Sequence, residues 1–199
     1  MVMRKLFNVV LLVGVLLIAG CIDGVNPRQR GGNPIPWKPD GRIEPGEYSY
    51  NFSSGDFSTF FRVENGTLFV GIMAQTHGWL AVGFGGGPGM KDTDIVIAYV
   101  LPNRTVRIRD DYSTGFAGPH NPDTSYGGEE DILSYGGSEK GDFTIVEFSR
   151  KLDTGDPYDF TVPLNRSFRV IWAYGIVDDF LSDHTNAGQF YVALGGGLG

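Results

Sequence analysis

Residues 78–100 read GWLAVGFGGGPGMKDTDIVIAYV. Two short apolar runs, WLAVGF at 79–84 and DIVIAYVL at 94–101, flank a loop with glycine at 85, 86, 87 and 89 that closes on Met90. Runs of six to eight apolar and β-branched residues bounded by glycine are strands, because a helix of that burial would be longer and would carry a 3.6-residue period. Two strands joined by so short a loop lie antiparallel. DIVIAYVL is apolar at both odd and even positions, so both of its faces must be covered. Methionine is ordinarily core filler. At the end of a loop with almost no side chains, Met90 either packs back on the core or is held out to a ligand.

The same pattern repeats along the chain. Strands are predicted at 47–52, 57–64, 67–74, 79–84, 94–101, 104–110, 143–149, 167–174 and 189–194. Asn65-Gly66 is a two-residue hairpin signal, since both central positions of that turn need positive φ. Pro102-Asn103 marks a further turn, and Arg107 and Arg109 alternate with Val106 and Ile108 as on a strand with one wet side. No segment between 40 and 194 sustains a helical period. The predicted fold is all-β, an antiparallel immunoglobulin-like sandwich of about nine to eleven strands. Residues 111–142, rich in Gly, Asp and Ser, read as a long surface excursion.

With 199 residues, 41% hydrophobic and 20% charged, the chain has enough apolar material for one sizeable core. Its formal charge is −7, and removal of residues 1–20 with Arg4 and Lys5 takes it to −9. Such a surface is unsuited to nucleic acid, whose phosphates need Lys and Arg.

The N-terminus places Arg4 and Lys5 before the apolar run at 9–20, which is shorter than the roughly 20 residues needed to span a bilayer and suits a secretory h-region. It ends in Ile18-Ala19-Gly20-Cys21, which resembles the lipobox of prokaryotic lipoproteins. The organisation that follows is a signal peptide over 1–20, a lipidated Cys21, a Pro/Gly-rich tether over 21–39 and one domain over 40–199. The protein would then be extracytoplasmic and held at the cell membrane by its lipid alone; the other reading of this segment is a plain signal peptide with an incidental cysteine. Cys21 is the only cysteine in the chain, so no disulfide staples the domain and no haem can be attached through a Cys-x-x-Cys-His motif. Sequons occur at Asn51, Asn65, Asn103 and Asn165.

The ordered set Asp40-Gly41-Arg42-Ile43, Glu47-Tyr48, GWLAVGFG, Met90, Asp94-Ile95-Val96, Asp111-Tyr112, Glu147-Phe148-Ser149-Arg150, Ile171-Trp172-Ala173 and His184 before a last strand resembles the DOMON family. This extracytoplasmic β-sandwich family includes the haem-b cytochrome domain of cellobiose dehydrogenase. In its haem-binding members the two axial ligands are a methionine on the loop after the Gly-Trp strand and a histidine before the final strand. The resemblance therefore implies Met90 and His184 as ligands of one non-covalent haem b, used for electron transfer with a redox protein or small molecule as donor or acceptor. Thioether and imidazole are both neutral ligands, and that pair favours ferrous haem. Some members of the family are haem-free, so a pocket for a sugar or other small ligand is the alternative.

The residues themselves leave other assignments open. Beyond residue 20 the chain holds two methionines, Met73 and Met90, and three histidines, His77, His120 and His184. Met73 lies among large apolar residues and reads as core packing. His77 reads as solvated, His120 as a surface or hydrogen-bonding residue, and His184 has Ser182 and Asp183 close to it in sequence. Trp79 and Trp172 either line the pocket or belong to the core. Carboxylates at 92, 94, 110, 111 and 129–131 are numerous enough for calcium, but no twelve-residue calcium loop is present. No Gly-x-Ser-x-Gly, His-Glu-x-x-His or phosphate loop occurs, and no catalytic residue is assigned.

Overall fold

The computed structural model describes residues 35–195. Eleven strands among these residues form two antiparallel sheets facing one another, the predicted sandwich. In chain order they are β1 Tyr50–Ser54, β2 Phe57–Glu64, β3 Thr67–Ala74, β4 Leu80–Gly85, β5 Thr93–Val100, β6 Val106–Ser113, β7 His120–Pro122, β8 Ser134–Lys140, β9 Phe143–Lys151, β10 Phe168–Tyr174 and β11 Asn186–Val192. One sheet has the order β1-β2-β3-β9-β8 and the other β11-β10-β4-β5-β6-β7. A single 3-10 turn, Asp123–Tyr126, is the only helical element among the described residues, and no helix there is long and apolar enough to cross a membrane.

Strand alternation sorts side chains into layers. Leu80, Val82 and Phe84 of β4, Val96 and Ala98 of β5, and Val170 and Trp172 of β10 enter the core, where they meet Val70, Ile72, Val146 and Phe148 from the facing sheet. Phe57 stacks on Trp172 with ring centroids 4.9 Å apart and planes 16° apart, one of the inter-sheet contacts that replace the missing disulfide. The β2–β3 hairpin turns at Asn65 (φ 51°) and Gly66 (φ 77°), the two positive values its sequence required.

Residues 35–49 cover the outer face of the five-stranded sheet. Trp37 packs on Phe69 at 4.8 Å, so the last residues of the stretch read as a tether are docked here. The rest of that stretch, with the signal peptide and Cys21, lies outside the described residues. Glu147, on the outward side of β9, holds this segment: it accepts from the Gly41 and Arg42 amides at 2.7 and 3.2 Å and from the Tyr48 hydroxyl at 2.7 Å. Burial pushes its carboxyl up to about 7, against the pull of those donors.

The excursion predicted over 111–142 needs correcting. It contains the end of β6, all of β7, the 3-10 turn and all of β8, a seven-residue edge strand beside β9. Its sequence, SYGGSEK, is exposed or half-buried throughout, so it has no apolar alternation to read.

Candidate ligand pocket

The outward face of the six-stranded sheet is not fully solvated. Ala81 and Gly83 of β4, Ile95 and Ile97 of β5, and Ile171 and Ala173 of β10 form a floor of small and branched apolar side chains under a cavity of about 570 Å³. DIVIAYVL is thus covered on both sides, by the core on one and by this floor and its loops on the other. A cavity of that size with apolar lining falls within the range used by small-molecule and cofactor sites.

Three loops wall the cavity. The β4–β5 loop carries Met90, which is half-buried and packs against the cluster formed by Trp79, Ala81, Ile95 and Ile97. Gly89, at φ 64°, lets this loop turn inward, and a Cβ there would stand 2.2 Å from the Phe116 carbonyl. The loop is held from below. Arg169 of β10 donates from Nη1 to the Gly87 carbonyl and from Nη2 to the Gly89 carbonyl, each at 2.7 Å, while the Met90 amide donates to the Phe116 carbonyl at 2.8 Å. The glycines give the loop its shape, and Arg169 binds the carbonyls that glycines cannot screen.

The β10–β11 loop carries His184, exposed at the pocket wall. Trp79 donates from its indole nitrogen to Ser182 Oγ at 2.9 Å, so Ser182 ties this loop to the sheet. The third wall comes from residues 117–120, ahead of and within β7. There His120 Nδ1 lies 2.6 Å from Asp111 Oδ2. Asp111 is also bonded by Arg109 Nε at 2.8 Å, and the Arg109 guanidinium sits 4.5 Å over the Phe180 ring. A carboxylate on one imidazole nitrogen fixes the orientation of the ring.

Met90 and His184, named from the sequence, therefore line one cavity from separate loops. His120 lines it too, and the sequence reading missed that because nothing in GPHNPD announces the three-residue pairing of β7 with β6. Arg169 was also missed; on sequence it is one polar residue in an alternating strand. Trp79 belongs to the pocket cluster, whereas the Trp172 ring is in the sandwich core. Met73 departs from its reading as core: it is half-buried on the outward side of β3, on the other sheet. His77 is largely exposed, 3.5 Å from Glu139, as a solvated residue should be.

In comparisons with known proteins, the DOMON domain family model matches residues 53–175, more than half of the chain; Met90 is inside that span and His184 beyond it. Among curated proteins, putative DBH-like monooxygenase protein 2 of Homo sapiens is 29% identical over 119 residues, which is 59% of this chain and 22% of that protein. MOXD1 homolog 2 of Drosophila melanogaster is 26% identical over 123 residues, 62% of this chain and 16% of that protein. The chain thus spans about a fifth of the length of these relatives. Among solved structures, the cytochrome domain of Myriococcum thermophilum cellobiose dehydrogenase has the same fold, with a TM-score of 0.53 at 14% identity over 73% of this chain and 81% of that one. On the family match and the two-sheet architecture together, this chain belongs to the DOMON domain family.

Proposed function

We propose that the protein is an extracytoplasmic b-type cytochrome, tethered through a lipidated Cys21, that binds one haem non-covalently between Met90 and His184 and passes electrons to a separate redox protein or small molecule. The observation that carries the reading is that a methionine and a histidine from separate loops line one cavity above an apolar floor. That donor set suits a haem iron, and the floor of Ala81, Gly83 and Ala173 leaves room for a planar group. Bound haem would supply one-electron chemistry; the chain's part is to hold the ligands and exclude water. Arg169 fixes the Met90 loop, Trp79 fixes the His184 loop through Ser182, and the floor keeps the site apolar. The module has no turnover of its own in this reading. The monooxygenase relatives contain much sequence that this chain does not match.

A second reading is a haem-free pocket for a sugar or other small ligand, for which Trp79 and Phe180 offer aromatic surface beside the polar His120 and Gln189.

Titration of the purified full chain with haemin, followed in the visible range, separates the two. The cytochrome reading expects one haem per chain, low-spin and extractable by acid-acetone. Met90→Leu conserves volume, so it should still fold but give an altered spectrum and a lower reduction potential, while His184→Ala weakens binding and Met73→Leu changes nothing. A chain that takes up no haem favours the second reading. A Met90→Leu spectrum and potential identical to wild type would refute the ligand assignment, and loss of binding in His120→Ala but not His184→Ala would move the histidine ligand to residue 120.

A further inference from the structure

The two sheets leave four edge strands, β1 and β8 on one sheet, β11 and β7 on the other. An edge strand offers a row of backbone groups to any strand that reaches it, and shortness, charge or cover are the usual guards. One side of the sandwich has them. β7 is three residues long, and β8, which faces β6 across the core, carries Glu139 and Lys140. The docked N-terminal segment also lies against β8, where Ser138 Oγ donates to the Gly41 carbonyl at 2.7 Å.

The other side is built differently. There β1 and β11 run across from each other, with Phe52 stacked on Phe190 at a centroid distance of 5.2 Å and planes 12° apart. Neither strand contains a charged residue or a proline, in a chain whose formal charge is −7. β11 is the longer, with seven residues against five. β10 pairs with it on one side, and among the described residues no strand pairs with the other. Ala187, Gln189 and Tyr191 point to the outer face of the sheet, opposite Ala173, Ile171 and Arg169 of β10, and Tyr191 is 65% exposed. Gly188 and Phe190 point to the inner face.

That order of residues is self-complementary. When β11 is laid antiparallel against a second copy of itself, about a two-fold axis at Gln189, Ala187 falls opposite Tyr191 and Gly188 opposite Phe190. A small residue then meets a large one on both faces, and an aromatic ring across from an edge glycine covers backbone that the glycine leaves bare. Only the end pair, Asn186 with Val192, matches poorly. On the axis Gln189 meets Gln189. Its Oε1 accepts from Arg169 Nε at 2.8 Å, which leaves its amide nitrogen to donate across the axis. A charged partner strand would find no counter-charge here, whereas a copy of β11 brings no charge to be matched.

We propose that β11 is a dimerisation edge, at which two copies of the chain pair antiparallel about Gln189 and join their six-stranded sheets into one. Residues directly opposite in such a pair point to the same face, so both cavities open on the same side of the joined sheet. Gln189 also links the edge to the pocket, because the Arg169 that it holds carries the Gly87 and Gly89 carbonyls of the Met90 loop. The proposal is independent of what the pocket binds.

Sedimentation velocity of the purified full chain over about 1–300 µM reads the association directly. The expected result is a reversible monomer–dimer equilibrium with a midpoint on the order of 10 µM, as befits a small and largely backbone interface. Ala187→Glu combined with Tyr191→Glu sets like charges opposite one another at two places across the axis, and should raise the dissociation constant at least about tenfold. Ala187→Lys combined with Tyr191→Lys should do the same, and an equimolar mixture of the two double variants should recover dimers. Both positions are exposed, so the fold is kept. Hydrogen exchange of the wild-type chain needs no variant: amides of β11, and not those of β7 or β8, should exchange more slowly at high concentration than at low. A wild-type chain that stays monomeric throughout overturns the proposal. So do dimers that persist in the acidic double variant, a mixture that does not reassociate, or protection that appears at β7 or β8 instead.

Discussion

Replacing Arg169 with methionine should loosen the Met90 loop without loosening the sheet beneath it. The stem and its packing are kept, while the bonds to the Gly87 and Gly89 carbonyls, both 2.7 Å long, are lost. Hydrogen bonds from a charged donor contribute about 1.5–3 kcal/mol each when fully buried. Both contacts here are only partly buried, and the freed carbonyls regain water, so about 1 kcal/mol each is the working figure. About 2 kcal/mol raises the equilibrium constant for local opening roughly thirtyfold. Native-state hydrogen exchange reads this directly at the Met90 amide, bonded to the Phe116 carbonyl at 2.8 Å, and at the Gly87 amide, bonded to the Lys91 carbonyl at 2.6 Å. Both should exchange faster by about that factor, while Val82 and Val96, opposite one another in the β4–β5 ladder, keep their wild-type rates. Unchanged exchange at both loop amides would refute the idea that Arg169 holds this loop. Equal acceleration in the ladder would show that it stabilises the sheet instead.

Two further outcomes follow from residues outside the pocket. Because burial raises the Glu147 carboxyl from an ordinary 4.5 to about 7, the folded chain binds more protons than the unfolded one between those values, and stability from this group present below pH 4.5 is lost as pH rises to 7; Glu147→Gln should flatten that part of a melting-temperature profile, and an unaltered slope would contradict it. If Cys21 carries lipid, Cys21→Ser should go unlipidated and, once residues 1–20 are removed, move from the membrane fraction to the soluble one, whereas an unmodified Cys21 in the native chain would remove the tether and leave the haem proposal intact.

Where the sequence was readable, a local pattern carried the information. β2 and β3 begin and end where their alternation and the Asn65-Gly66 turn said they would. β5 was predicted to be covered on both faces, which holds although its outer cover is a pocket rather than a third layer. β8 was invisible because an edge strand beside β9 needs backbone pairing and little apolar surface. The pocket was half legible. Met90 stood out as a large side chain among glycines and His184 through the resemblance to the family, but Arg169 and His120 act through tertiary neighbours. Arg150 and Glu147 were visible only as parts of a motif. Their roles follow from which side of β9 each faces: Arg150 inward to buried carboxylates, Glu147 outward to the docked N-terminal segment.

That docking fixes a direction. Trp37, Gly41 and Tyr48 lie against the outer surface of the five-stranded sheet, and the cavity opens on the outer surface of the six-stranded one. The chain therefore reaches Ile35 on the side of the molecule opposite the cavity mouth. A partner that reaches the cavity meets the face opposite to the one on which residues 35–49 are docked. The exposed apolar side chains of Phe116 and Leu181 project from two of the cavity's wall loops and would be the first part of the domain such a partner touches.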